Sequence, residues 1–166
     1  MFRKVDDFIE RWASETDATL KIFNTLTDAS LTQKVTEDGR SIGRLAWHIV
    51  TTVGEMAGRA GLKIEAPAEN SEIPKTAAEI VTAYKKAADS LGLQIKQHWP
   101  DKALTETIDM YGETWRKEVA LSVLILHQVH HRAQITILMR QAGLKVPGVY
   151  GPSREEWQNY GMPAME

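Results

Sequence analysis

Three of the chain's five histidines stand within Leu121 to Arg140, a stretch that reads Leu-Ser-Val-Leu-Ile-Leu-His-Gln-Val-His-His-Arg-Ala-Gln-Ile-Thr-Ile-Leu-Met-Arg. Its periodicity is helical and largely apolar, an unusual setting for imidazoles. In a helix, residues four apart lie about 40° apart around the axis and about 6 Å along it, so His127 and His131 point the same way. Two imidazoles so placed can grip one metal ion, and Leu124, Gln134, Ile135 and Leu138 share their face. His130 lies roughly 60° from His127 and 100° from His131, with Leu126, Ala133 and Ile137, which makes it the poorer ligand. Two readings compete for the pair. Either each ring is hydrogen-bonded to a neighbour as a core residue, or one metal satisfies both and keeps both neutral. The Glu that follows the first His in the H-E-x-x-H zinc protease signature, and acts there as base, is missing from His-Gln-Val-His-His.

The helix carrying the pair is predicted to start at a cap on Thr114 and to run to about Ala142, with Gly143 as its stop. From Val119 to Leu126 it is apolar nearly all round, so it needs burial on more than one side, part of it against a second copy of the chain. Three further helices are expected. The first runs from about Val5 to Leu26 on a stripe of Phe8, Trp12, Thr16, Leu20 and Phe23, widened by Ile9 and Ile22. The second is capped by Ser41, buries Leu45, Ile49, Thr52 and Met56, stops near Gly61 and carries His48 between Leu45 and Thr52. The third opens on the capping box Thr76-Ala-Ala-Glu79, buries Ile80, Tyr84, Ala87, Leu91 and Ile95, and ends by Trp99 because Pro100 follows. His98 belongs at its exposed C-terminal end.

The connections are long. Residues 27–40 hold one helical turn around Leu31 and Val35, residues 61–75 contain Pro67 and Pro74, and Asp101 to Glu113 is irregular. After Gly143 the tail carries Pro147, Gly148, Gly151 and Pro152, and then Ser153-Arg-Glu-Glu156, a second capping box that predicts a short terminal helix at Trp157. With no convincing strand, the pattern is all-α, a four-helix bundle in one domain spanning residues 1–166.

Composition narrows the chemistry. A chain of 166 residues can bury about 70% of its unfolded surface around one core. The absence of cysteine excludes disulfides, thiolate metal sites and a cysteine nucleophile, and it suits a reducing cytoplasm. Acidic residues in Met-Phe-Arg-Lys-Val-Asp-Asp occupy the place where a signal peptide would need its apolar core, and no uncharged run is long enough to span a bilayer, so a soluble protein is expected. A net charge of −2, with both signs interspersed and no basic stripe, disfavours nucleic acid and anionic membranes as partners.

Ser41-Ile-Gly-Arg-Leu-Ala-Trp-His48, followed far downstream by Leu126-His127-Gln-Val-His-His131-Arg-Ala-Gln134, resembles the DinB superfamily over nearly the whole chain. The order of elements is similar too, with a His in the second helix, H-x-x-x-H-R-x-Q in the fourth and a Gly- and Pro-containing tail. The resemblance implies up-down-down-up topology with residues 61–75 as the long crossover, frequent homodimers, and a divalent metal, zinc or nickel, held by three histidines. Carried over position by position, those are His48, His127 and His131, with His130 left out.

Three neutral imidazoles would leave an ion's charge uncompensated and at least one position open, the pattern of a catalytic site. A thiol in that position would lose its proton near neutral pH. By resemblance to superfamily members that use bacillithiol or mycothiol, the leading expectation is a metal-dependent thiol S-transferase acting on a small-molecule electrophile. The alternatives are a metal-dependent hydrolase, which also needs a base near the water, and a non-enzymatic, metal-stabilised dimeric binding or stress protein. Helical geometry offers Thr52, Glu55 and Gln134 as residues behind the ligands. Tyr111, Trp115 and Trp157 are expected to cover core edges, and Arg132 to make a salt bridge or a dimer contact. Metal binding is expected to weaken as pH falls through the imidazole range near 6.

Overall fold

The computed structural model describes residues 2–164 and holds four long helices, α1 (Val5–Phe23), α2 (Ile42–Arg59), α3 (Ala77–His98) and α4 (Lys117–Gln141). One continuous core joins them: α2 packs on α3 and α4, and α1 on α3 and α4. The apolar stripes lie where their periodicity put them. Phe8, Phe23, Ile80, Tyr84, Leu91 and Ile95 are inaccessible to solvent, and Leu45, Ile49 and Met56 nearly so. No helix among the described residues is long and apolar enough to cross a membrane.

Local chemistry sets the helix ends. The Ser41 hydroxyl accepts from the Arg44 amide at 3.2 Å, and Thr76 and Glu79 close their capping box, leaving fewer unpaired amides at each start. At α1 the carboxylate of Asp7 accepts from the Lys4 amide at 3.0 Å, and the Val5 amide donates to Asp101 at 2.8 Å. The connection from α2 to α3 lies tight against α2. The Trp47 indole donates to the Ser71 carbonyl at 3.3 Å, and a Cβ at Gly54 would come within 2.6 Å of the Ala66 Cβ. Only glycine lets the two backbones approach so closely there.

Four expectations are corrected. The segment before α4 is ordered into a β-hairpin, β1 (Thr107–Met110) with β2 (Glu113–Arg116), in register Thr107 with Arg116 through Met110 with Glu113. Its two central residues, Tyr111 and Gly112, have φ of 60° and 85°, the positive pair that a type I′ turn requires to match strand twist. Thr114 therefore pairs with Asp109 in the sheet and caps nothing, and α4 follows β2 directly with Arg116 at its N-cap position. Secondly, α1 ends at Phe23, three residues short of Leu26. Thirdly, the pair Leu31 and Val35 divides: Leu31 is buried within the expected turn, a 3-10 turn at Asp28–Thr32, while Val35 is 65% exposed outside it. Lastly, the terminal helix is a single 3-10 turn, Trp157–Tyr160, with no buried residue.

The first half of α4 buries Ala120, Leu121, Leu124 and Ile125, leaves Val119 and Val123 half-buried, and presents Leu126 to solvent at 65% exposure.

Candidate metal centre

Because α2 lies against α4, His48 comes from one helix to meet His127 and His131 on the other. The three Nε2 atoms converge. That of His127 lies 3.1 Å from the Nε2 of His48 and 3.1 Å from that of His131, and donor atoms of all three rings lie within 4.8 Å of one another. Two nitrogens each about 2.0–2.1 Å from one tetrahedral ion stand about 3.3 Å apart, so the group is spaced as a set of ligands to a shared ion. The three histidines could hold a metal ion.

The remaining ring nitrogens are held differently. His131 Nδ1 lies 2.7 Å from Gln134 Oε1, an acceptor only, so Nδ1 carries the proton and the neutral ring turns a lone pair on Nε2 toward the shared point. His48 Nδ1 faces the Thr52 hydroxyl at 3.5 Å, one turn along α2. His127 Nδ1 is buried without a protein partner among the described residues. With two of the rings drawing no strong support from neighbours, hydrogen bonding alone accounts poorly for three imidazoles packed so closely.

Glu55 makes no hydrogen bond to a ligand ring, although its charge favours protonation of His48. Its carboxylate forms an ion pair with Arg59 and accepts from the Tyr111 hydroxyl at 2.6 Å, and the Arg59 guanidinium lies 4.5 Å above the Tyr111 ring. Both oxygens are thus used at the hairpin tip. His130 is exposed and outside the converging set, although its ring meets that of His131 edge-on at 5.0 Å. His98 is exposed at the end of α3. Tyr111 and Trp115 meet edge-on at 6.2 Å, and Trp115 packs partly buried on the core margin.

Burial holds the three rings neutral. It is the largest cause in each case, followed for His48 and His127 by the charge His131 would carry, and it lowers the first two from 6.5 to about 4 and His131 in the same direction. The positive charge of Arg40 also lowers all three. Burial thus moves protonation of His48 and His127 below the range near pH 6 expected for ordinary imidazoles, and shifts His131 in the same direction.

Beside the ligands on α4 lies a buried polar cluster, of which the sequence reading anticipated the salt bridge of Arg132 and the burial of Tyr84 and Thr16 but not Glu15, Thr19, Gln128 or Tyr150. Arg132, 2% exposed, pairs with Glu15, 1% exposed, at 2.8 Å and donates to the Thr19 hydroxyl at 3.0 Å. The tail closes it, with the Tyr150 hydroxyl donating to Glu15 at 2.8 Å. Gln128 accepts from the Tyr84 hydroxyl at 2.8 Å alongside. A signal for the cluster was present: Glu15, Thr16 and Thr19 interrupt the apolar stripe of α1 at positions that face inward.

A model of the DinB family matches residues 1–165. The chain belongs to the DinB family. Among proteins it resembles is the uncharacterized protein YrdA of Bacillus subtilis (strain 168), 43% identical over 164 residues, which cover 99% of this chain and 98% of that one. A solved DinB-like protein from Bacillus cereus ATCC 10987 superposes with a TM-score of 0.87 at 39% identity, covering 90% of this chain and 100% of the other. The DinB-like protein YjoA of Bacillus subtilis gives a TM-score of 0.68 at 17% identity, covering 89% and 99%, and at that distance speaks for the DinB fold alone.

Proposed function

We propose that this DinB-family chain is a metal-dependent thiol S-transferase. In this reading His48, His127 and His131 hold one divalent ion, zinc or nickel, and a low-molecular-weight thiol of the bacillithiol kind is the co-substrate. The observation that carries it is the convergence of three neutral imidazoles with no carboxylate among them. An ion bound there would supply a Lewis acid with uncompensated positive charge, which favours the thiolate over the thiol at neutral pH.

The chain's own residues contribute the rest. Gln134 fixes the proton on the outer nitrogen of His131, Thr52 backs His48, and Arg40 adds positive charge that favours an anion at the site. Hydrolysis is supported less well. It calls for a base beside the attacking water, and Glu55, the nearby candidate, is committed to Arg59 and Tyr111. A reducing cytoplasm, where small thiols persist as thiols, is the compartment this function requires. A homodimer belongs to the same proposal, with a second copy covering Val119, Val123 and Leu126 on α4. Sedimentation of the parent and Leu126→Asp checks it, and a parent that is already monomeric at micromolar concentration would remove it.

The deciding experiment is metal content per chain by plasma mass spectrometry for the parent, His48→Ala and His131→Ala, followed by thiol conjugation to model electrophiles. About one divalent ion per parent chain, little in either variant, and conjugation faster than the free thiol is the expected result. Metal without conjugation or thiol binding would remove the transferase and leave a metal-stabilised binding protein.

A further inference from the structure

Beside His131 the surface opens into a cavity of about 410 Å³, within the range of about 300–1,000 Å³ of small-molecule sites. Its lining is mainly apolar, with Val35, Leu45, Ile137 and Leu138, and also includes His131, Gln134 and the exposed Arg40. Two of these walls are left to solvent in a way packing does not explain, Val35 at 65% and Ile137 at 58% exposure. Arg40 lacks a counter-ion: the seven ion pairs among the described residues engage Arg11, Arg59, Lys86, Arg116, Lys117, Arg132 and Arg140. A mainly apolar trough whose lining holds one guanidinium outside any ion pair and no carboxylate is complementary to a molecule that is hydrocarbon along its length and negative at one end.

We infer that this cleft binds an organic anion with an apolar body, a carboxylate meeting Arg40 and the hydrocarbon lying along Val35, Leu45, Ile137 and Leu138. The inference rests on the transferase reading for the role of that molecule, the acceptor electrophile, and on the cleft alone for its binding. Arg40 is the group that selects charge, and the exposed faces of Val35 and Ile137 are the groups that select the body.

The test is calorimetric titration of the full chain with octanoate, 1-octanol and octylammonium, in metal-free and metal-loaded protein. Octanoate is expected to bind both forms, with the alcohol weaker and the cation without measurable binding. Arg40→Gln should weaken octanoate about tenfold or more, Arg40→Lys should retain part of the affinity, and Arg44→Gln should leave it unchanged. Val35→Ser and Ile137→Ser, both at exposed positions that the fold tolerates, should each weaken it several-fold. Equal affinity for octanoate and octanol, unchanged affinity in Arg40→Gln, or no octanoate binding to either form would overturn the inference. The two readings fail separately. Octanoate bound through Arg40 without thiol conjugation keeps the cleft and removes the transferase, whereas conjugation of acidic and neutral electrophiles that is equally indifferent to Arg40→Gln does the reverse.

Discussion

Gln134 determines which nitrogen of His131 carries a proton, because a carbonyl oxygen 2.7 Å from Nδ1 can only accept. Replacing it with Ala frees the ring to turn and to change tautomer, and should weaken zinc binding by about 10-fold or more without disturbing the fold. Competition against a chromophoric chelator reads this directly. The same titration across pH tests the neutral ligand set. With His48 and His127 brought down to about 4, affinity should hold from pH 7.5 to about 6 and fall steeply toward pH 4. The sign for stability follows from the same shifts. Between about 6.5 and 4 the unfolded chain binds more protons than the folded one, so stability of the metal-free protein declines as pH falls through that window and is insensitive to these groups above it. Denaturant midpoints at pH 7.5, 5.5 and 4.5 measure it. At this scale the sequence was informative where geometry is local: His127, His131 and Gln134 share one helix face and could be read from spacing. Arg40 and Glu15 were missed because their roles depend on neighbours 91 or more positions away, His131 for the former and Arg132 for the latter.

The β-hairpin supplies the clearest case of an element hidden from pattern reading. Its strands have four residues each, too few for alternation to stand out, and its turn is Tyr-Gly, where Asn-Gly would have announced it. Tyr111 accepts the left-handed conformation because its ring and hydroxyl are held by Arg59 and Glu55. Gly112 has no such compensation, and with φ at 85° a Gly112→Ala change should destabilise the chain by about 1 kcal/mol, visible as a lower melting temperature. The long helices were readable for the opposite reason. Their stripes run for four to six turns, and Ser41 and Thr76 mark two of the starts with side chains that close the first turn.

Across the whole molecule, one ion would tie α2 to α4 over 79 positions of sequence between His48 and His127. Metal at about 100 times its dissociation constant should therefore raise stability by about 2.7 kcal/mol, and a chelator should reverse the gain, as thermal melts would report. His48→Ala should abolish the response. Such long-range joins were reached in the sequence only through the family resemblance, since helical spacing says which residues share a face and not which faces meet. The buried pair on the far side of α4 provides a second fastening. Arg132→Met should cost about 3 kcal/mol by denaturant titration, because it strands Glu15 in the interior with only Arg11 and Tyr150 for support. Since Arg132 immediately follows His131, α4 is bolted to α1 on one flank while it offers ligands on the other. That pair opposes rotation of α4 about its own axis, so for an ion held by the three histidines, part of what keeps the ligand spacing would be a salt bridge that never touches it.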